Sequence, residues 1–219
     1  MTVTAILPVP ESYVQRREAV FAPVAGESPL VRIVRALAAV GDVVVAAAQS
    51  LAGEVRETLV AQALPAVRTV GARSPGARAD CIAAGLAALG DGDGPVLLHD
   101  LTWPLIADAT LDAVLSAVHG GADAVLPIRP VTDSVKAVDA RGAVTATLDR
   151  SPLRTVQFPR GFDAAVLERL LADGAADFDE LGAALSVGTP LTLVEGDTDT
   201  MSVDLPADSA FLAAVIAGR

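Results

Sequence analysis

The chain has 219 residues, 52% of them hydrophobic but only 3% aromatic, and a formal net charge of −11. That length suits one sizeable α/β core rather than two small ones, and with so few rings the core must be filled by Ala, Val and Leu. The acidic balance argues against nucleic acid and anionic membranes as partners, since both select basic patches. The single cysteine, Cys81, excludes an internal disulfide. With no basic-then-apolar leader and no apolar run of about 18 residues, the sequence reads as that of a soluble, cytoplasmic protein.

In chain order, residues 2–9 (TVTAILPV) are β-branched and apolar enough for a first strand, ended by Pro8 and Pro10. Residues 10–27 carry scattered charges without an amphipathic period and read as a crossover loop. Ser28 followed by Pro29 has the form of an N-cap with proline at the first helical position, predicting a helix to about Val40, with Gly41 ending it. A second strand is predicted over 42–49, a helix over 51–64, a short third strand over 66–70, a turn-rich loop over 71–77 and an alanine-rich helix over 78–89.

Residues 95–100, PVLLHD, then rise out of a GDGDG turn and stop at His99 and Asp100. This is the pattern of a buried parallel strand whose carboxyl end opens into a crevice, the place where open α/β sheets bind ligands. An aspartate there can hold a divalent metal against phosphates, or it can cap the next helix, and the hexapeptide alone leaves both uses open. His99 reads as a hydrogen-bonded strand-end histidine rather than a base, and His119 as a surface residue. Trp103 reads as a half-buried indole beside the crevice.

Beyond this strand, a helix is predicted over 108–118 and a buried strand over 124–128. The β-α-β rhythm implies a mostly parallel sheet covered on both faces. Residues 134–149 break it: apolar and polar residues alternate around Ala140-Arg141-Gly142, the signature of a β-hairpin. A strand at 155–158, helices over 163–171 and 179–185, a strand at 191–196 and a final helix over 207–217 complete the chain.

Taken in order, VLLHD with Pro104, DSVKAVD, LDR, LRTVQFPRGF and LVEGD resemble the 2-C-methyl-D-erythritol 4-phosphate cytidylyltransferases over nearly the whole length. The resemblance implies one nucleotidyltransferase-like domain over residues 1–219. Its fold would be an α/β, Rossmann-like three-layer sandwich with a mostly parallel central sheet and a projecting β-hairpin arm, about residues 134–154. It further implies CTP and a sugar phosphate as substrates, Mg²⁺ as the metal, a homodimer joined through the arm, and loss of pyrophosphate as the sugar phosphate attacks the α-phosphorus. By position, Asp100 would hold the metal. Pro8, Arg78, Asp80 and Cys81 would meet the nucleotide, and Asp133, Ser134, Arg150 and Thr155 the acceptor.

The same resemblance marks departures. The family's first strand runs into a glycine-rich loop with an arginine and a following Pro-Lys pair, which cradle a triphosphate and offset its charge. Here Glu11 and Tyr13 fall on the glycines, Gln15 on the arginine and Ala19 on the lysine. Trp103 replaces a basic residue after the His-Asp pair, Ser202 replaces a lysine in a short strand expected after LVEGD, and Cys81 replaces a hydroxyl. Arg16 and Arg17 are the candidates for rebuilding the catalytic charge. Loss of one transition-state electrostatic donor costs on the order of 10²–10³ in rate. The expectation is a family member with weak or lost activity; the alternative is a non-catalytic relative that binds a sugar phosphate, a nucleotide or a partner protein.

Overall fold

A computed structural model describes residues 3–89, 94–172 and 178–219. Thr2 of the predicted first strand and residues 90–93 of the predicted turn lie outside the described residues. Strand β1 (Thr4–Val9) leads through a 3₁₀ helix (Glu11–Arg16) to α1 (Glu18–Phe21), then α2 (Pro29–Ala38), β2 (Asp42–Ala48), α3 (Ala52–Ala61), β3 (Arg68–Ala72), α4 (Arg78–Ala87) and β4 (Pro95–Leu98). After α5 (Asp108–His119) and β5 (Ala124–Pro130) come the arm strands β6 (Lys136–Val138) and β7 (Val144–Thr147), and then β8 (Arg154–Val156). The chain closes with β9 (Arg160–Asp163), α6 (Ala164–Leu171), α7 (Glu180–Ser186), β10 (Leu191–Glu195) and α8 (Ser209–Ala217).

The central sheet runs β10-β5-β9-β4-β1-β2-β3, with β8 paired to β5 beside this path. Pairings of β1 with β2 and β4, of β2 with β3 and of β10 with β5 are parallel. β9 runs antiparallel between β4 and β5. Burial on both faces explains why the strands read as continuous apolar runs. Leu7 of β1, Val45 of β2 and Leu97 of β4 face a cluster that takes in Leu30 and Ile33 of α2, Leu59 of α3 and Val114 of α5. Ile6, Ala46 and Leu98 face the other way, toward Ile82 of α4, Leu167 of α6 and Ala184 of α7. The result is the three-layer, mostly parallel α/β sandwich that the sequence implied.

Local signals hold where they were strong. Ser28 Oγ accepts the Val31 N–H at 3.4 Å, with Pro29 opening α2. The arm forms a separate two-stranded sheet, Lys136 opposite Thr147, whose turn is tied by the Asp139 carboxylate to the N–H groups of Arg141 and Ala143. Gly142 in that turn has φ +81°, a conformation side chains resist.

Elsewhere the structure corrects the sequence reading. Residues 10–27 are not a bare loop, because Val20 and Ala19 are buried and hold the 3₁₀ helix and α1 against the core. Residues 160–163 form β9 ahead of the helix predicted from 163, a strand too short to show a period. The third strand lies two residues further on than predicted, set by its register against Val44–Ala48 of β2. No strand forms at residues 201–204; Val203 instead donates its N–H to the Thr102 carbonyl at 2.8 Å.

Candidate active site

The crevice is built where β1 and β4 end. The His99 N–H extends the β1–β4 pairing by donating to the Ile6 carbonyl at 3.1 Å, which sets Asp100 at the carboxyl edge of the central sheet. Asp100 Oδ1 accepts the Thr102 N–H at 2.9 Å and its hydroxyl at 2.7 Å, a local turn that orients the carboxylate. Oδ2 accepts Arg78 Nη1 at 2.5 Å, bringing the start of α4 to the strand end. Asp100 therefore caps no helix, since α5 starts eight residues on at Asp108 behind Ala107 with no side-chain cap; its carboxylate is engaged by this turn and by Arg78.

Arg78 is shared with a second carboxylate. Its Nη2 and Nε donate to Glu180 at 3.2 and 3.4 Å, and Glu180 also accepts Arg160 Nη1 at 2.9 Å. Arg160 lies over the Phe158 ring, its guanidinium carbon 4.2 Å from the ring centroid, with that of Arg78 at 5.7 Å. Burial works against the charge on Arg78, but Glu180 and Asp100 more than offset it and raise its pKa. Glu180, Arg160 and Phe158 were not singled out from sequence; no local pattern connects a helix-start glutamate with an arginine twenty positions before it.

His99 is fully buried, meets the Phe158 ring edge-on at 5.9 Å and has its Nε2 2.8 Å from the Trp103 carbonyl. A carbonyl only accepts, so Nε2 carries the proton. Burial lowers its pKa to about 4, so it stands neutral at ordinary pH, as a structural histidine. Trp103 is half-buried and tilts against Phe158 at 6.1 Å.

The candidate catalytic arginines do not reach this cluster. Arg16 pairs with Asp204 and donates to the Leu205 carbonyl at 2.8 Å, while Arg17 pairs with Glu54 of α3. Glu11 accepts the Ser50 hydroxyl at 2.5 Å, and its N–H donates to the Gly76 carbonyl at 2.8 Å. Tyr13 sits close enough to feel the Asp100 charge; burial first, and that charge second, push its phenol well above the usual range. Tyr13, Arg16, Leu101, Thr102 and Val203 line a cavity of about 10 Å³, room for about one water.

At the nucleotide positions, Pro8 is buried in β1 and pairs in register with Ala46. Asp80 accepts the Ala77 N–H at 2.8 Å, steadying the start of α4. Cys81 is buried with its Sγ 3.9 Å from the Gly76 carbonyl, and burial pushes the thiol up to about 12. The acceptor positions gather at the foot of the arm. Asp133 and Ser134 are exposed, Arg150 donates to the Thr132 carbonyl, and the Thr155 hydroxyl donates to the Arg129 carbonyl at 3.3 Å.

No group of three His, Cys, Asp or Glu side chains able to hold a metal occurs among the described residues. One carboxylate can suffice for Mg²⁺, which keeps waters and takes phosphate oxygens. Here, however, both Asp100 oxygens are already engaged, so this arrangement does not fit a cation unless Arg78 withdraws. A concavity of about 620 Å³ opens at the other end of the strands, by Pro95, His119, Asp123 and Asp163. Open α/β sheets bind at carboxyl ends, so the Asp100 side remains the candidate.

Comparison with known proteins bears on the family and the fold. The family model described as 2-C-methyl-D-erythritol 4-phosphate cytidylyltransferase matches residues 14–218. The protein of that name from Streptomyces coelicolor is 39% identical over 206 residues, 89% of this chain and 76% of that protein. Its counterpart from Streptomyces avermitilis is 38% identical over 212 residues, 89% of this chain and 82% of the other. Among solved structures, the Thermus thermophilus enzyme of the same name superposes with TM-score 0.79 at 23% identity, covering 99% of this chain and 100% of that one, a likeness of fold. With the family model spanning nearly all of the described fold, the chain belongs to the 2-C-methyl-D-erythritol 4-phosphate cytidylyltransferase family.

Proposed function

We propose that this chain is a cytidylyltransferase-family protein whose conversion of CTP and 2-C-methyl-D-erythritol 4-phosphate is weak or lost. The observation that carries this is the lodging of residues 11–21: Arg16 and Arg17, the candidate stand-ins for the missing charge, are tied to Asp204 and Glu54. Transfer of a nucleotidyl group rests on positioning and on positive charge around the phosphorus. Ala19, Trp103 and Ser202 supply no such charge, and Glu11 adds a negative one.

In this reading residues 1–219 act as one domain, since β9, from late in the chain, completes the sheet between β4 and β5. Asp100 is the place for Mg²⁺ once Arg78 turns from it. The arm joins two copies; Val138 and Val144, 59% and 64% exposed, give it apolar surface to cover, and a lone two-stranded sheet is marginal in water. The localisation in keeping with the composition is cytoplasmic, and no helix among the described residues is long and apolar enough to cross a membrane.

The decisive assay is pyrophosphate release from CTP and 2-C-methyl-D-erythritol 4-phosphate with Mg²⁺. The expected rate lies far below the roughly 1–10³ s⁻¹ of ordinary enzymes. Robust turnover abolished by Asp100→Ala would overturn the reading. The non-catalytic alternative draws on the same diversion of Arg16 and Arg17; a thermal shift with a sugar phosphate but with none of the four NTPs favours it.

A further inference from the structure

Glu180 is the one buried carboxylate among the described residues, 1% exposed at the first turn of α7. Both of its oxygens receive guanidinium groups: Arg78 through Nη2 and Nε, and Arg160 through Nη1. Arg160 is itself buried, and the Phe158 ring lies beneath both guanidinium carbons. Asp179 adds a weaker contact to Arg160 at 3.5 Å.

Burying such a cluster is a poor route to stability, because the desolvation of each ion rivals the attraction gained, and apolar substitutes often do better. What the cluster provides is geometry. Arg78 has five N–H donors in a fixed plane. With Nη2 and Nε held by Glu180 and the ring fixing the plane, Nη1 is delivered to Asp100 at 2.5 Å. The Arg78 side chain keeps 21% of its surface open, the part a ligand can reach.

We infer that Glu180 is a positioning residue of the crevice: from α7 it holds Arg78 across Phe158 in the place where its guanidinium meets Asp100. It thereby sets where positive charge stands at the nucleotide end. The assignment rests on the reading that this crevice takes a nucleotide, and it deepens that reading by naming the residue that orders the basic group.

The test compares the full chain with Glu180→Gln, Glu180→Asp, Arg78→Ala and the pair Glu180→Gln/Arg78→Ala. CTP with Mg²⁺ is titrated calorimetrically, and the arginine Nε–H resonances of the ligand-free proteins are recorded by NMR, that of Arg78 being assigned by its loss in Arg78→Ala. In the unmodified chain the Arg78 resonance is expected to be protected from exchange. Glu180→Gln loses that protection and weakens CTP about tenfold, the scale of a close charged coupling. Glu180→Asp, with intact charge but shorter reach, lies between and serves alone if Glu180→Gln does not fold. The double variant binds no worse than Arg78→Ala, because Glu180 acts only through Arg78. A protected Arg78 resonance surviving in the Glu180 variants, or losses in CTP affinity that simply add, would overturn the assignment. If the unmodified chain takes no CTP, the nucleotide reading fails, and the Arg78 resonance by itself upholds or overturns the role of Glu180.

Discussion

Arg16 turns from Asp100 and pairs instead with Asp204, 188 positions along the chain. The pair fastens the 3₁₀ helix after β1 to the segment leading into α8. It is largely exposed, 49% for the arginine and 74% for the aspartate. Its removal by Asp204→Asn is therefore expected to cost less than about 1 kcal/mol in stability. The sharper readout is hydrogen exchange: amides of residues 11–16 should exchange faster, while those of β1 do not change. No change at 11–16 would show that the packing of Ala19 and Val20 alone holds the segment.

Restoring one basic group is expected to restore almost nothing. Ser202→Lys should leave pyrophosphate release at the level of the unmodified chain, because groups acting on one transition state are strongly non-additive. Replacing residues 11–19 with a glycine-rich loop carrying arginine and lysine, together with Trp103→Arg and Ser202→Lys, is the combination expected to raise the rate. A large gain from Ser202→Lys alone would place the deficit there and not in the loop.

His99 links stability to pH. Its folded pKa is about 4 against an ordinary 6.5, because burial disfavours the imidazolium. The unfolded chain therefore binds the proton first. This contribution is fully present above about pH 6.5 and is lost as pH falls toward 4, a total on the order of 3 kcal/mol. Urea midpoints between pH 7 and 4 should fall less steeply for His99→Gln than for the unmodified chain; equal slopes would show that His99 does not titrate in this window.

The seam between α4 and β1 is set by a missing side chain. A Cβ on Gly85 would lie 2.6 Å from Ile6 Cγ2, a contact that real Cβ atoms do not make. Gly85→Val should destabilise by about 1–3 kcal/mol through overpacking, measurable as a lower denaturant midpoint. It should also disturb Arg78, which starts the same helix.

If the arm joins two copies, light scattering at micromolar concentration should give twice the chain mass, and Val144→Asp, on an exposed face of β7, should give the single mass without loss of helical signal. A single mass for the unmodified chain counts against the arm as an interface.

The sequence by itself determined the elements and their class. Apolar runs such as DVVVAAA and PVLL marked strands covered on both faces. Ser28-Pro29 marked a helix start, the alternation around Gly142 marked the arm, and VLLHD, TVQFPRGF and LVEGD, taken in order, carried the resemblance to the family. These are legible because each depends on neighbours a few positions apart. What only the tertiary structure decided depends on residues far apart in the chain. Sequence put Arg16 and Arg17 forward as the stand-in catalytic charge; Asp204 and Glu54 draw them off. It left Glu180 unremarked at a helix start; the fold buries it between Arg160 of β9 and Arg78 of α4, which in turn engages Asp100. A charge in a sequence has no fixed partner, since its Coulomb energy depends on distance and dielectric, and both are set only when the sheet brings its strand ends together.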